Sequence, residues 1–98
     1  MSDSSVAQPI GRAHFIGIGG AGMSGIALVL HQRGCHVTGS DLKASRYVRE
    51  LEEAGIEVHI GHEAPTIDAV APDVVVTSSA IPETNPEVIR ARELGSDV

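Results

Sequence analysis

The run Gly17-Ile18-Gly19-Gly20-Ala21-Gly22 constrains this chain more than any other feature, because it fits the pattern G-x-G-x-x-G between an apolar segment and a helical pattern. In that setting the glycines form the tight turn that joins a strand to a helix. The unpaired N–H groups of the first helical turn and the positive end of the helix dipole favour an anion there. The sequence therefore predicts a site for a nucleotide diphosphate, without indicating which one.

Each glycine of the motif has a predicted role. Gly17 lets the chain leave the strand sharply, and Gly19 removes a side chain where the backbone approaches a pyrophosphate. Gly22 allows the new helix to pack close to the strand. A glycine-rich turn without a ligand is the alternative, and the acidic residue that follows the next strand makes it the less favoured interpretation.

Length and composition restrict the chain to one small globular domain, with 98 residues of which 42% are hydrophobic. The net charge of −6 argues against nonspecific nucleic-acid binding and against an anionic membrane surface. A single cysteine, Cys35, excludes an internal disulfide, and no apolar run is long enough to span a bilayer. The N-terminus lacks the pattern of a signal peptide. We expect a soluble cytoplasmic protein whose residues 1–11 form a flexible leader.

The alternation of strand and helix patterns predicts an α/β fold, a Rossmann-like open parallel sheet with helices on both faces. Strands are predicted at residues 13–18, at 36–39 ending in Ser40-Asp41, at 57–60 and at 73–77. Helices are predicted from the last motif glycine to Gly34, over residues 45–54, and from an Asn85 cap with Pro86 to about residue 94. Residues 61–72 are predicted as a loop with up to one helical turn.

Apolar spacing predicts the buried faces of the first two helices. For the first helix the predicted inward residues are Met23, Ile26, Ala27 and Leu30, and for the second they are Val48, Leu51 and Ala54. The chain stops at residues 96–98, where a fifth strand is expected to begin. We therefore expect an N-terminal piece of a longer protein, truncated after the helix that follows strand four.

The predicted topology places a crevice beside strand one. Right-handed crossovers make strands one and four neighbours, and ligands bind at the carboxyl ends of the strands where the order reverses. Two loops are expected to meet there: Gly17 to Gly22, and Thr77 to Ile81 with the hydroxyls of Ser78 and Ser79. For each serine, ordinary loop polarity is an equally weighted alternative.

Asp41 lies at the end of strand two, about twenty residues after the glycine motif, where dinucleotide folds hold ribose hydroxyls. A carboxylate accepts hydrogen bonds from two neighbouring hydroxyls, and it would repel a 2′-phosphate, which disfavours NADP. The alternative is a turn aspartate that starts the second helix. The five histidines and Cys35 show no metal-ligand spacing, and no nucleophile has a plausible base, so we predict no catalytic residue and no metal site.

Several segments resemble the muropeptide ligase family, and specifically its alanine-adding members. The longest is His14 to Ala27, which contains Gly-Gly-Ala-Gly-Met and is far more specific than a lone glycine motif. Further matches follow in the same order: Gly39-Ser40-Asp41, Ile60-Gly61-His62, Thr77-Ser78-Ser79-Ala80-Ile81-Pro82, Asn85-Pro86-Glu87 and Arg90-Ala91. The resemblance covers residues 12–98.

This resemblance implies an enzyme of peptidoglycan precursor synthesis with three domains. The first binds the UDP of UDP-N-acetylmuramate, the second binds ATP and Mg²⁺ and activates the muramyl carboxylate as an acyl phosphate, and the third helps bind ATP and the incoming L-alanine. Residues 12–98 correspond to the first domain. The implied substrate-binding residues are Gly19, Gly20, Ala21, Gly22 and Met23 at the pyrophosphate, Asp41 at the uridine ribose, and His62, Ser78, Ser79, Ala80 and Ile81 bordering the uridine and phosphates. Ser40 is implied as a further substrate-binding residue.

One departure from the family pattern limits what these residues can do. No G-x-x-x-x-G-K-[ST] motif occurs in the sequence, so we expect the 98 residues to bind the UDP-sugar without catalysing ligation and without a cofactor of their own. Three alternatives stay open: an NAD-binding domain of a dehydrogenase, a non-enzymatic nucleotide-sensing module, and a relative that ligates a preformed peptide to the same nucleotide. The first-turn residues Gly20 to Met23 favour the alanine-adding members.

Overall fold

The computed structural model describes residues 11–98, which form a four-stranded parallel sheet of order β3-β2-β1-β4. The predicted Rossmann-like α/β fold is confirmed, including the pairing of the first and fourth strands. The strands are β1 Arg12–Ile16, β2 His36–Asp41, β3 Glu57–Ile60 and β4 Val74–Val76; the helices are α1 Ala21–Gln32, α2 Arg46–Glu53, α3 Ala64–Val70 and α4 Pro86–Glu93. Apart from Gly11, the predicted leader lies outside the described residues.

Two apolar clusters cover the two faces of the sheet. Alternate residues of a strand point to opposite faces, so Ala13 and Phe15 of β1 pack with α1 and α2 while Ile16 packs with α3 and α4. The helices therefore lie on both faces, as predicted. Among residues 11–98, no helix is long and apolar enough to cross a membrane.

The first two helices bury most of the residues that apolar spacing predicts: Ala27, Val48 and Leu51 are buried, and Met23 and Leu30 pack against the apolar cluster. Ile26 is 54% exposed and Ala54 is exposed, so both predicted inward positions are wrong. The residues of α1 that are buried are the small Ser24 and Ala27, which let the helix lie close to the sheet. Apolar spacing predicted Ala27 but could not identify Ser24, because a serine does not count toward the pattern.

The segment between β3 and β4 is more ordered than predicted, because it contains the seven-residue helix α3. Pro65 lies in its first turn, and Ile67 and Val70 are buried at i, i+3 spacing. The loop prediction for residues 61–72 is therefore wrong. The proline and the paired apolar residues were the available signal.

Helix α4 begins and ends as predicted. The side chain of Asn85 accepts a hydrogen bond from the N–H of Glu87 at 2.9 Å, and Pro86 is the first helical residue. Gly95 follows the helix with a φ of +82°. Asp97 then forms a parallel bridge with Val74, at the place where a fifth strand is expected to begin.

Gly39→Ala is expected to destabilise the fold, because Ile18 packs directly on Gly39. A Cβ at Gly39 would lie 2.7 Å from Cβ of Ile18, and overpacking of this kind typically costs about 1–3 kcal/mol. Urea unfolding measures the change. Gly25→Ala is the matched control: Gly25 is an exposed position of α1 with nothing within 4 Å of an added Cβ. That variant should gain about 0.5–1 kcal/mol from helix propensity. A Gly39→Ala protein as stable as the wild type would contradict the close contact.

Candidate nucleotide-binding site

The glycine loop leaves β1 at the carboxyl edge of the sheet and is held there by β2. Gly17 has a φ of +81°, which ends β1 two residues earlier than predicted. The N–H groups of Gly17 and Ile18 both donate to the carbonyl oxygen of Ser40, at 2.8 and 3.0 Å. Ile18 is fully buried against Gly39. The path of the loop is therefore set by the end of β2.

The N-terminus of α1 is open to a ligand. Its N-cap, Gly20, supplies no side-chain hydrogen bond, and its first turn contains no acidic residue. In contrast, the side chains of Ser45 and Asn85 cap α2 and α4. Ala21 and Gly22 are exposed, and an added Cβ at Gly22 would meet nothing within 4 Å. The first-turn N–H groups and the helix dipole are thus available to an anion.

That open space corrects the role predicted for Gly22. Because no atom lies near its Cβ position, Gly22 is not required for close packing of α1 on the strand, and that prediction is wrong. The side chain of Met23 packs against the apolar cluster beneath α1. The backbone N–H of Met23 can therefore make the predicted pyrophosphate contact, whereas its side chain could do so only by leaving the apolar cluster.

Gly19 is glycine for a different reason from the one predicted. A Cβ there would lie 2.8 Å from Oδ2 of Asp41, 3.0 Å from Cγ2 of Val48 and 3.1 Å from Oγ of Ser45. The missing side chain thus makes room for the protein's own atoms rather than for an open crevice. The N–H of Gly19 donates to Oδ2 of Asp41 at 2.8 Å, which joins the glycine loop to the end of β2.

The second predicted loop lies against the first. Cδ1 of Ile81 is 3.2 Å from the position of a Cβ on Gly17, and the N–H of Ile81 donates to the carbonyl of Ser78 at 3.0 Å. Ser78, Ser79 and Ala80 are exposed. The hydroxyls of Ser78 and Ser79 make no hydrogen bond to any other residue in the range 11–98. The predicted meeting of the two loops beside β1 and β4 is confirmed.

Sequence reasoning missed a fully buried carboxylate, Glu87, beneath this edge of the sheet. Its Oε1 accepts hydrogen bonds from Nε2 of His14 at 2.9 Å and from Oγ of Ser40 at 2.7 Å. Its Oε2 accepts from the backbone N–H of Glu63 at 2.9 Å. Burial alone would raise the pKa of Glu87, but these hydrogen bonds lower it more, so that the net shift is downward and the group is ionised.

The buried carboxylate connects to His62, which is one of the predicted site residues. Nδ1 of His62 lies 2.8 Å from Oγ of Ser40, and only 10% of the His62 side chain is exposed. On the far side, Nδ1 of His14 lies 2.7 Å from Oγ1 of Thr38. The sequence did contain a signal: His14 interrupts an apolar strand that is buried on both faces, and such a residue needs a polar partner.

The strand register brings the remaining predicted residues to the same edge. Ser40 of β2 pairs with Ile16 of β1, and Asp41 of β2 pairs with Ile60 of β3. His62 follows Ile60 by two residues. Among residues 11–98, no group of three or more His, Cys, Asp or Glu side chains is placed to hold a metal ion. The sequence also lacks a lysine-containing phosphate loop, so these residues do not fit the triphosphate of ATP with Mg²⁺.

Glu87→Gln is expected to destabilise the protein by about 1–3 kcal/mol at neutral pH, with a difference from wild type that narrows in acid. The folded pKa of Glu87 is lowered, so its contribution is present above the usual glutamate pKa and lost as the pH falls through the folded value. The groups facing it are His14, Ser40 and His62. Urea unfolding over that range measures the effect.

Glu53→Gln is the matched control, because it removes the same charge at the exposed end of α2. The stability of this control should follow the wild type at every pH. If the Glu87→Gln and Glu53→Gln proteins showed the same pH dependence, the buried carboxylate would not be the group that responds.

Comparison with known proteins places these features in a family. The family model described as "Mur ligase family, catalytic domain" matches residues 12–98. A curated UDP-N-acetylmuramate–L-alanine ligase from Thermobifida fusca is 59% identical over 83 residues, covering 85% of this chain and 17% of the relative. One from Streptomyces coelicolor is 60% identical over 87 residues, covering 89% and 19%. The chain thus spans about a fifth of the length of these relatives.

Solved structures agree with the sequence relatives. The UDP-N-acetylmuramate-alanine ligase of Thermotoga maritima matches with a TM-score of 0.83 at 34% identity, over 90% of this chain and 20% of that one. A UDP-N-acetylmuramate:L-alanyl-gamma-D-glutamyl-meso-diaminopimelate ligase from Neisseria meningitides matches with a TM-score of 0.81 at 31% identity, over 90% and 28%. The fold, the glycine loop and these matches together show that the chain belongs to the Mur ligase family.

Proposed function

We propose that this chain binds the UDP moiety of UDP-N-acetylmuramate, and that the longer protein is an ATP-dependent ligase which adds L-alanine to that nucleotide. The observation that carries the proposal is the uncapped, exposed N-terminus of α1 beside the Thr77–Ile81 loop. The names of the relatives supply the substrate, since both curated proteins described above are UDP-N-acetylmuramate–L-alanine ligases. We propose a cytoplasmic location because ATP and nucleotide sugars are cytoplasmic compounds.

The pyrophosphate belongs at the start of α1. There the N–H groups of Ala21, Gly22 and Met23 are the first-turn donors, and Gly20 is the N-cap. A net charge of −6 does not oppose this, because the attraction comes from local backbone dipoles and not from the total charge. Gly19 contributes differently: its N–H is engaged by Asp41, so it shapes the loop.

Asp41 has capacity for a ribose in addition to its contact with the loop. Its Oδ2 accepts from Gly19 at 2.8 Å and its Oδ1 accepts from the N–H of Lys43 at a longer 3.3 Å. An ionised carboxylate offers about four lone-pair positions, so ribose hydroxyls can still be accepted. We place the uridine near Asp41 and His62, with the buried Ser40 beneath them and with Ser78, Ser79, Ala80 and Ile81 forming the opposite border.

The chemistry of ligation lies with ATP and Mg²⁺, for which these residues do not provide a site. The role of the 98 residues is therefore to hold and orient the nucleotide end of the substrate. We expect them to bind the nucleotide and to show no ligase activity with ATP and L-alanine.

Titration of the chain with UDP, UDP-N-acetylmuramate and NAD, followed by amide NMR, tests the proposal. We expect shifts at residues 19–23, 40–41, 62 and 78–81 with both uridine ligands, and none with NAD. Saturation by NAD, with no response to either uridine ligand, would instead identify a dehydrogenase-type domain. A response to neither class would refute nucleotide binding by this chain.

Asp41→Ala should weaken UDP binding by about 1–3 kcal/mol, since it leaves polar groups unpaired. Calorimetric titration gives the affinity. Asp41→Asn separates the two roles of this side chain, because its amide oxygen can still accept from the N–H of Gly19. If Asp41 only holds the loop, the asparagine variant will bind UDP as the wild type does; if the carboxylate also accepts ribose hydroxyls, both variants will be weaker. Wild-type affinity in the alanine variant would remove Asp41 from the site.

A further inference from the structure

We propose that Glu87 is a positioning residue for the nucleotide site. Acting through the hydroxyl of Ser40, it fixes the imidazole of His62 with its proton on Nδ1 and leaves the lone pair of Nε2 for the ligand. The ligand group that such a nitrogen takes is a hydrogen-bond donor. Only the identity of that ligand rests on the proposed function; the state of the ring does not.

The direction of the hydrogen bonds follows from counting protons. Glu87 is ionised, so it can only accept, and its oxygens receive bonds from Nε2 of His14, Oγ of Ser40 and the N–H of Glu63. A serine hydroxyl carries one proton, and Ser40 donates it to Glu87. The oxygen of Ser40 must then accept from Nδ1 of His62, 2.8 Å away. His62 therefore holds its proton on Nδ1.

Burial keeps this arrangement from being rearranged by water. Ser40, Glu87 and His14 are fully buried, so no solvent molecule competes for the hydroxyl proton. Reversing the Ser40 hydroxyl would leave a buried carboxylate without one of its donors, and an unpaired buried group of this kind is costly. The charge of Glu87 thus determines which way the Ser40 hydroxyl points.

The same carboxylate also fixes the backbone beside His62. Its Oε2 accepts from the N–H of Glu63, the next residue in the chain. Glu87 itself is held at the start of α4 by the Asn85 cap. Both the ring of His62, through Ser40, and the peptide that follows it are therefore tied to one rigid group. This double attachment is what a positioning role requires.

The tautomer selects the part of the nucleotide that His62 can contact. A neutral imidazole with its proton on Nδ1 accepts at Nε2 and cannot donate there. Phosphate oxygens are acceptors, so they are not partners for this nitrogen while the ring is neutral. Ribose hydroxyls and the imide N–H of uracil are donors, and they fit. We therefore assign His62 to the nucleoside end of the ligand and not to the pyrophosphate.

Long-range proton–nitrogen NMR spectra of the histidine rings test the assignment directly, on the unliganded chain and at a pH where His62 is neutral. We expect the nitrogen shift of a protonated Nδ1 and an unprotonated Nε2. Ser40→Ala should abolish this preference, and Glu87→Gln should reduce or invert it, because an amide N–H can turn the serine hydroxyl round. Thr38→Val is the matched control: it breaks the far end of the network at His14 and should leave the His62 signals unchanged.

Affinity measurements then connect the ring to the ligand. Ser40→Ala should weaken UDP binding about fivefold, the equivalent of one hydrogen bond, and should have no further effect in a His62→Ala background. A proton on Nε2 of His62 in the wild type would overturn the proposal, as would additive effects of the two substitutions. An Nδ1-protonated ring in a chain that binds no UDP would support the assignment of the tautomer while refuting the proposed function.

Discussion

The two hydrogen bonds that Gly17 and Ile18 donate to the carbonyl of Ser40 are the contact on which the rest of the site depends. They hold the turn after β1 against the end of β2, and only because Gly39 has no side chain can Ile18 reach its buried position. The next residue, Asp41, then binds the N–H of Gly19. Three successive residues of β2 thus determine the path of the glycine loop, which in turn directs the N-terminus of α1.

Ser40 belongs at the same time to a second system, because its carbonyl holds the loop while its hydroxyl bonds Glu87. A buried carboxylate is tolerated only when hydrogen bonds replace the water it has lost. Here three donors come from three separate parts of the chain: β1, β2 and the segment after β3. The network therefore joins the elements that surround the proposed nucleotide site.

The sequence predicted the parts of the site that local patterns determine. Glycine spacing located the loop, crossover handedness located the neighbouring Thr77–Ile81 loop, and the Asn85-Pro86 pair located the start of α4. What it missed are contacts between distant residues: Gly19 with Asp41 across 22 positions, Ser40 with Glu87 across 47, and His14 with Glu87 across 73. No local period encodes such pairs, since they exist only once the sheet order has brought the strands together.

The wrongly assigned helix positions have a related cause. Ile26 satisfied the apolar spacing of α1 but is exposed, whereas Ser24, which no apolar pattern includes, is buried beside the correctly predicted Ala27. Likewise, Gly19 and Gly22 have exchanged their predicted environments: the first packs against protein atoms and the second faces open space. A glycine motif indicates which positions lack a side chain. Which atoms lie next to those positions depends on the three-dimensional fold.

The distribution of donors and acceptors gives the crevice a polarity. Backbone N–H groups at the start of α1 are donors, while the carboxylate of Asp41 and, under the proton arrangement inferred above, Nε2 of His62 are acceptors. In the proposed ligand, a nucleoside diphosphate, the phosphates carry acceptors, whereas the ribose hydroxyls and the imide N–H of the base can donate. Under the proposed function, donors meet acceptors at both ends when the phosphates lie at α1 and the nucleoside lies at the end of β2. Under the proposed function, the two acceptors at the end of β2 therefore orient the ligand together with the glycine loop.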